Sequence, residues 1–430
     1  MITMENKQRV KTIAVIFIIA IVLISLITEF LYIFNNKYTY SKLQPEKGVL
    51  TLSQEEIDSN SFHFLIKDWE FYEDALLTPT YFKNQTSLPN MKYVSIGDTE
   101  SAYTSQTKNN TFIGTYRMKI NFPEKEGFYA LEMPQVYSAY ELYINDKLYL
   151  KVGDTHNYKA QIQNRCTFFA ASGETYITIA VKDASGIKAG ITSPPTLGKP
   201  YSINITRAFK FLINNFIMTL IFFGALFSLI LAISGKSNYS YMFFFMCLIY
   251  AVYLNHPLIN LCFSMGGNFS YVFEYFCTHF VYLMVIMLQN RLCNLNKNVS
   301  SISEICGSVF CAIAFVYGVF TPYLSAPLCT FLSTLCNVFE WLAAIYLVAI
   351  GTYAVFNDIK YGRIFLFGNV CFAASLLLYI IQPLYDSIYT DQSVEMGILT
   401  ILGCLYFVYW ASIIDNYRRN IVLDDERRLM

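Results

Sequence analysis

Residues 208 to 233, AFKFLINNFIMTLIFFGALFSLILAI, set the pattern for the second half of the chain, where long apolar runs recur between short polar gaps. A helix that spans a bilayer needs roughly 20 mostly apolar residues, because lipid offers the backbone no other hydrogen-bond partner. Seven runs meet this requirement between residues 208 and 415. The predicted spans are 209–233, 240–261, 271–292, 302–323, 327–356, 363–384 and 397–416.

Lysine and arginine residues predict the orientation of these spans, because short cytoplasmic loops are enriched in both. They follow the first, third, fifth and seventh runs, as Lys236, Arg291, Lys297, Lys360, Arg363, Arg418, Arg419, Arg427 and Arg428. The loops 262–270, 322–327 and 385–396 contain neither residue type. The pattern therefore predicts that these loops lie outside the cell and that the C-terminus lies inside.

The composition is typical of a membrane protein, with 55% hydrophobic and 14% charged residues. The formal net charge is zero, which excludes an electrostatic footprint for a nucleic acid. Of eleven cysteines only Cys166 precedes the apolar runs, which excludes a disulfide-stapled outer domain. Cys262 and Cys329 lie near the outer ends of predicted spans. A disulfide between them is one interpretation, and two buried reduced thiols is the favoured one.

The N-terminus carries Lys7, Arg9 and Lys11 ahead of an apolar run at 13–27. A cleaved secretion signal and an uncleaved signal anchor both have this pattern. The anchor is favoured, with its N-terminus inside, because the run is long and no small-x-small cleavage site follows it. Either alternative exports the next segment.

The segment 36–206 shows the patterns of β-strands. Residues 111–122, TFIGTYRMKINF, and 175–182, TYITIAVK, alternate in part between apolar and polar side chains. Asn145 and Asp146 form a turn signal between the strand-like sequences YELYI and KLYLKV, which predicts a β-hairpin. Many short strands without an amphipathic helix between them indicate an antiparallel sandwich.

Several short motifs carry a family resemblance. Residues 67–72 are KDWEFY and precede LLTP, residues 114–117 are GTYR, and residues 138–148 are SAYELYINDKL. These motifs resemble those of the bacterial seven-transmembrane receptors with diverse intracellular signalling modules, of the kind with the type 2 extracellular domain. The likeness covers about 62–205 together with the seven apolar runs. At 95–98 this chain has SIGD, where the family often has a proline and a tryptophan.

The resemblance implies a galactose-binding-like jelly-roll outer domain and a receptor function, usually with a cytoplasmic histidine kinase, diguanylate cyclase or phosphatase. We therefore predict a membrane protein with an all-β jelly-roll domain and a seven-helix transmembrane bundle. The predicted domains are a cytoplasmic start and signal anchor at 1–35, the β-domain at 36–206, the bundle at 207–416 and a short cytoplasmic tail at 417–430.

A carbohydrate site needs an aromatic platform beside planar polar groups, because a sugar ring has an apolar face and a rim of hydroxyls. The predicted ligand-binding residues are Trp69, Tyr116, Arg117, Tyr137, Tyr140, Glu141 and Asp146. For Trp69 and Tyr116, packing in the core of the sandwich is the favoured alternative. For Tyr137 and Tyr140 both interpretations stay open.

Ionisable residues inside a membrane are costly and are therefore functional candidates. Glu340 lies in the middle of a predicted span, and Asn337 shares its helical face. Glu340 could bind a cation, relay a proton or couple helices, while a single interhelical hydrogen bond is the simpler and favoured interpretation. Glu274 and His279 are five positions apart, so they lie on different faces of their predicted helix and do not form an obvious pair. The remaining candidates for interhelical hydrogen bonds are Asn214, Asn215 and Asn369.

No catalytic, metal-binding or cofactor motif is visible in the sequence. Together with the family resemblance, this predicts a non-enzymatic sensor in the bacterial cell membrane. The expected partners are the lipid bilayer, a small external ligand with a saccharide as one candidate, and a cytoplasmic signalling protein at residues 418–430. The sequence leaves open whether the protein forms a homodimer. The alternatives are a transporter or channel with Glu340 on its path, and a membrane-anchored carbohydrate-binding module.

Overall fold

The computed structural model describes residues 4–40, 43–59, 61–84, 90–97, 112–184, 189–234, 239–263, 270, 273–381, 384–389 and 396–429. A long N-terminal helix comes first, two β-sheets follow, and the rest is helical. We call the two sheets with their connections the β part, and the helices from residue 200 onward the helical part.

The β part contains eleven described strands and three short helices. The strands are β1 Val49–Thr51, β2 Phe62–Phe64, β3 Trp69–Glu73, β4 Met91–Val94, β5 Phe112–Asn121, β6 Gly127–Met133, β7 Ala139–Ile144, β8 Lys147–Val152, β9 Arg165–Ala171, β10 Glu174–Asp183 and β11 Thr196–Gly198. The short helices are α2 Lys37–Tyr40, α3 Gln54–Asp58 and α4 Pro79–Asn84.

The larger sheet has seven strands in the order β4-β3-β5-β10-β7-β8, and β1 pairs in parallel with β5. The smaller sheet has the order β2-β11-β6-β9. Side chains alternate between the faces of a strand, and on β5 Tyr116 and Met118 point into the core while Arg117 and Lys119 point away from it. We call the face that carries Arg117 the outer face of the larger sheet.

The predicted hairpin is confirmed. Strands β7 and β8 pair antiparallel and are joined by Asn145 and Asp146. Asn145 has φ 51°, a left-handed conformation that asparagine tolerates better than most residues, because its short side chain bonds locally. Its Oδ1 accepts a 2.8 Å hydrogen bond from the amide of Tyr176, which ties the turn to β10.

The helices are α1 Met4–Phe34, α5 Pro200–Ile233, α6 Ser240–Phe263, α7 Thr278–Leu292, α8 Lys297–Phe320, α9 Ala326–Phe356, α10 Gly362–Ile381 and α11 Met396–Leu429. A π-helical turn, Phe273–Cys277, precedes α7. Helix α1 packs on α10 through Ala20 and Ile24, which contact Leu366 and Val370 in one apolar cluster.

Glycines let α9 and α10 approach closely. A Cβ on Gly351 would lie 2.7 Å from the Cα of Leu366, and one on Gly362 would lie 2.8 Å from the carbonyl of Ala354. Small residues at such contacts permit the close backbone approach that is common between membrane helices.

The predicted fold class is wrong in its helical half. Six described helices are long and apolar enough to cross a membrane: Glu5–Phe34, Pro200–Ile233, Lys297–Phe320, Pro327–Phe356, Gly362–Ile380 and Met396–Asp415. One of them is N-terminal, so five of the seven spans expected within 207–416 meet the test. The described apolar stretch of α6 is Ser240–His256, and α7 has 15 residues. These lengths and compositions are consistent with a multi-pass membrane protein.

The predicted jelly roll is also wrong. A jelly roll has eight strands in two Greek keys, whereas the described sheets have seven and four strands and include a parallel pair. Helix α1, which contains the predicted signal anchor, packs against α10. The sequence pattern identified single strands and apolar runs, but the pairing of distant segments decides the architecture.

Candidate functional site

Three of the predicted ligand-binding aromatic residues lie in the core between the sheets. Trp69, Tyr116 and Tyr140 are each at most 1% exposed. The Nε1–H of Trp69 donates a 3.0 Å hydrogen bond to the carbonyl of Leu65, and its ring meets that of Tyr116 edge to face. In this conformation the three rings form no platform for a ligand, and their large buried area stabilises the β part.

Tyr137 connects the β part with the helical part. It is 7% exposed and packs in one apolar cluster with Ile162 of the β part and with Ala314, Tyr317 and Cys329 of helices α8 and α9. The structure thus places Tyr137 at a contact between the two parts, away from the outer face.

Arg117 forms the centre of a polar cluster on the outer face. Its guanidinium lies 4.3 Å from the ring centroids of both Phe82 and Tyr176. Its Nη1 is 3.5 Å from Oε2 of Glu70, and the same oxygen accepts a 3.0 Å hydrogen bond from the hydroxyl of Tyr72. Burial, followed by the negative charge of Glu70, raises the pKa of Tyr72 to about 12. We call these five residues the Arg117 cluster.

A second polar cluster surrounds Glu141. Its carboxylate accepts hydrogen bonds from Tyr143 Oη at 2.7 Å and Thr155 Oγ1 at 3.2 Å, and it pairs with Lys151 Nζ at 3.1 Å. Burial alone would raise the pKa of Glu141, but the bonds from Tyr143 and Lys151 outweigh it, so the pKa is lowered. The carboxylate is therefore held ionised.

The register of the larger sheet brings these clusters together. Arg117 on β5 pairs with Glu70 on β3 and, on its other side, with Thr178 on β10. Thr178 in turn pairs with Tyr143 on β7. Directly opposed residues share one face of a sheet. The outer face therefore aligns a carboxylate, a guanidinium, a hydroxyl and a phenol across four strands, and the Thr178 residue of this row is buried.

Asp146 lies at the edge of this face. Its carboxylate is 2.5 Å from Lys83 Nζ, and both side chains are more than half exposed. This pair links the hairpin to helix α4, which also supplies Phe82 to the Arg117 cluster. Sequence reasoning identified Arg117, Glu141 and Asp146 but missed Phe82 and Glu70. Glu70 lies within the WEFY motif that carried the resemblance, while nothing near Phe82 signalled its contact.

The polar residues predicted in the membrane helices do not converge. On α9, Glu340 is partly buried and Asn337 is exposed, and neither side chain hydrogen-bonds to another described residue. His279 is buried, with Nδ1 2.8 Å from the carbonyl of Tyr275 and Nε2 3.4 Å from that of Cys336. Glu274 belongs to the π-helical turn, and its side chain lies outside the described part.

A reciprocal amide pair joins three helices. Gln289 Nε2 donates to Asn369 Oδ1 at 2.7 Å, and Asn369 Nδ2 donates to Gln289 Oε1 at 2.8 Å and to the carbonyl of Leu347 at 2.6 Å. Asn369 was a predicted interhelical residue, which is confirmed, whereas its partner Gln289 was missed. Asn215 instead bonds to Phe211 of its own helix.

A junction of two segments connects the N-terminal helix with the last two helices. It consists of residues 35–38 and 384–389. Oδ1 of Asn35 accepts hydrogen bonds from the amides of Ile388 at 3.1 Å and Tyr389 at 2.8 Å. Nδ2 of Asn36 donates to the carbonyl of Leu384 at 3.0 Å. These hydrogen bonds hold the two segments together.

The junction also contacts the smaller sheet. Lys37 Nζ pairs with Asp386 Oδ2 at 2.8 Å, and both side chains are largely buried. Ile388 is 3% exposed and packs with Phe62 and Phe64 of β2. The segment that leads from α10 toward α11 is thus fixed to the β part as well as to the N-terminal segment.

Helix α11 continues as one helix from Met396 to Leu429, and near its middle Asp415 bonds to both Lys360 and Tyr361 of the α9–α10 turn. Among the described residues no group of three or more histidines, cysteines, aspartates and glutamates is placed to hold a metal ion. Cys262 and Cys329 are both free thiols.

No family model matches the chain, and no curated protein matches it either. Among solved structures, a β-glucuronidase of Faecalibacterium prausnitzii has 14% identity over 33% of this chain and 31% of its own, with a TM-score of 0.24. A β-galacturonidase of Eisenbergiella tayi bound to galacturonate has 11% identity over 32% and 24%, with a TM-score of 0.23.

A β-glucosidase of Kluyveromyces marxianus has 12% identity over 34% of this chain and 18% of its own, with a TM-score of 0.21. The chain spans less than a third of the length of each of these structures. Overlap at this level assigns neither a fold nor an activity to the chain.

Proposed function

We propose that the protein is a bacterial transmembrane sensor. In this proposal a small ligand, with saccharides as the candidate class, binds the outer face of the larger sheet outside the cell. The helical part then passes the change to α11, and residues 418–430 contact a signalling protein inside the cell.

The distribution of basic residues supports the proposed orientation. Arg9 near the start of α1 pairs with Asp358 in the α9–α10 turn, so both lie at the same end of the helical part. The same end carries Lys7, Lys11 and Lys360, and lysines and arginines are enriched on the cytoplasmic side of a membrane. The β part lies at the opposite end, because residues 35–38 follow α1 and contact it there.

The chemistry of the outer face supports a hydroxyl-rich ligand. The Arg117 cluster and Glu141 offer charged donors and acceptors beside the rings of Phe82 and Tyr176. The side chains of Arg117 and Glu70 are 19% and 21% exposed, so a part of each faces solvent. Hydrogen bonds to charged groups are stronger than those between neutral groups.

The junction is the observation that carries the proposal. It bonds the segment after α1 to the segment before α11 and buries Ile388 against the smaller sheet. A change in the β part therefore reaches residues 384–389, which precede α11 in the chain. Coupling also requires that the ligand prefer one of two arrangements of the helices, because equal affinity for both shifts nothing.

The test uses the full chain in lipid nanodiscs with a panel of neutral monosaccharides and disaccharides. Binding is measured by calorimetry, and hydrogen exchange of α11 is measured with and without each sugar. We expect at least one sugar to bind and to change the exchange of residues 410–429. Arg117→Lys, which keeps the charge but not the planar guanidinium, should weaken binding.

The matched variant is Asn35→Ala, which should leave binding intact and abolish the change in α11. Binding without any change in α11 of the unaltered chain contradicts a sensor and leaves an anchored binding module. Sugar flux across liposomes that contain the protein would instead establish a transporter.

A further inference from the structure

A groove between α1 and the start of α10 brings three cations together. Lys7 and Lys11 lie one turn apart on one face of α1, and Arg363 is the second residue of α10. All three side chains are exposed and line the same groove of about 1010 Å³. Within the described ranges no carboxylate pairs with any of them.

Two acidic residues, Glu5 and Asp358, line a neighbouring recess that also includes Arg363. Glu5 and Asp358 both pair with Arg9, which projects from another side of α1 and ties that helix to the α9–α10 turn. No aspartate or glutamate is among the described lining residues of the groove. Lys7, Lys11, Arg9 and Arg363 are four cations beside only two carboxylates, Glu5 and Asp358, so the groove and the neighbouring recess keep a net positive charge.

The lining changes from charged to apolar along the groove. Beyond Lys11, the lining on α1 continues with Val15 and Ile16, and beyond Arg363 the lining on α10 continues with Ile364 and Phe367. Both helices are long and apolar enough to cross a membrane. The charged end thus lies at the membrane surface and the apolar end in the hydrocarbon, which is the profile of a phospholipid.

We propose that this groove binds one anionic phospholipid from the leaflet on the side of the N-terminus. The phosphate lies among Lys7, Lys11 and Arg363, and an acyl chain lies against Val15 and Phe367. Charge complementarity and the apolar continuation of the groove together select this occupant. The site depends on the two helices crossing a membrane and is independent of the proposed sensor function.

The test uses native mass spectrometry of the full chain in mild detergent, titrated with phosphatidylglycerol or phosphatidylcholine. We expect one retained phosphatidylglycerol per chain and no retained phosphatidylcholine. The variant Lys7→Gln/Lys11→Gln/Arg363→Gln should bind phosphatidylglycerol about 100-fold more weakly, because each basic residue contributes about fivefold near an anionic headgroup.

The matched control is Arg291→Gln/Lys297→Gln/Arg418→Gln, which removes three cations from the same end of the helical part without touching the groove. It should bind as the unaltered chain does. Equal loss in both triple variants overturns the proposal, because it means that only net charge matters. If the groove variant does not fold, Lys11→Gln alone should weaken binding about fivefold, and no weakening overturns the site.

Two probes separate a lipid site from a site for free phosphate. Glycerol phosphate carries the headgroup charge without acyl chains and should not displace phosphatidylglycerol at equal concentration. Val15→Asn places a polar group at an exposed apolar position and should weaken lipid retention while the three cations remain. Displacement by glycerol phosphate, or unchanged retention in Val15→Asn, contradicts an acyl chain in the groove.

Discussion

The two parts of the molecule differ in the side chains that they expose. The β part encloses Trp69 and Phe71 and turns Arg117 outward. The helical part encloses Gln289 and Asn369, while large apolar side chains such as Phe216, Leu220 and Ile345 are more than half exposed on its surface. Hydrocarbon around the helices explains the difference, because lipid accepts apolar surface and gives amides no partner. An exposed phenylalanine therefore has a different meaning in each part.

The largest expected effect tests the apolar interior of the β part. Trp69→Ala should lower the free energy of unfolding by about 3–5 kcal/mol, because the side chain is fully buried and donates to Leu65. Pulse proteolysis of the full chain in urea and mild detergent measures the change. Phe128→Ala is the matched control, since that ring is 60% exposed, and it should cost no more than about 0.5 kcal/mol. Similar costs would refute the assignment of Trp69 to the interior.

The junction lies where the β part contacts the helical part. Asn35→Ala should destabilise it by about 1–3 kcal/mol, because the amide of Tyr389 loses its side-chain acceptor, while the amide of Ile388 keeps the backbone carbonyl of residue 35. Hydrogen exchange of residues 384–389 should become faster. Asn35→Asp keeps an accepting oxygen and should change exchange less. Equal acceleration in both variants would show that the acceptor is not what holds the segment.

The amide pair tests the polar interior of the helical part. Asn369→Leu and Gln289→Leu should each be destabilising, and the double variant should cost less than their sum by about 0.6–2 kcal/mol, because each single change strands its partner. Unfolding in mixed micelles with increasing sodium dodecyl sulfate measures the three variants. Asn215→Leu serves as the control, since Asn215 bonds within its own helix. Strict additivity would contradict a direct pair.

The smallest effect concerns charge on the outer face. Because the pKa of Glu141 is lower in the folded chain than its ordinary value of 4.5, its ionised form stabilises the protein above that pH. This contribution disappears as pH falls through the folded-state pKa. Glu141→Gln should therefore flatten the loss of stability between about pH 6 and about pH 3, by less than about 1 kcal/mol. Melting temperatures across that range measure it.

Asp146→Asn gives the contrast for this prediction, since its ion pair with Lys83 is more than half exposed. Its pH profile should resemble that of the unaltered chain, because water screens the pair. A flatter profile in Asp146→Asn than in Glu141→Gln would mean that the hairpin edge, and not the Glu141 cluster, controls acid sensitivity.

Local sequence predicted the parts of the fold that depend on neighbouring residues. The alternation on β5 was predicted from a period of two, and the turn at Asn145 and Asp146 was predicted from a turn signal. The structure contains both features. Single polar residues in apolar runs were likewise visible, and Asn369 proved to be interhelical. The sequence did not reveal the partner of Asn369. Gln289 is 80 positions away, and no sequence periodicity connects the two residues.

The same limit explains the errors in the helical half. Apolar runs were counted from hydropathy, which does not reveal where a helix begins in the folded chain. The third run at 271–292 contains the π-helical turn Phe273–Cys277 and only 15 α-helical residues. Packing of α1 against α10 joins segments more than 300 positions apart, and only the tertiary structure shows it. The interpretation of Trp69 and Tyr116 as core residues is confirmed, whereas the sequence left the burial of Tyr140 open.

Helix α11 is unbroken, so a small tilt of the helix displaces its C-terminal end by a larger distance. At 1.5 Å per residue, the part of the helix beyond Asp415 reaches about 20 Å past the bonds that Asp415 makes to Lys360 and Tyr361. If those bonds act as a fulcrum, a tilt of about 10° at the membrane displaces the far tip by about 3 Å, given that rise. A displacement of that size is comparable to a hydrogen-bond length, so a small rocking motion is enough to make or break a contact at the tip.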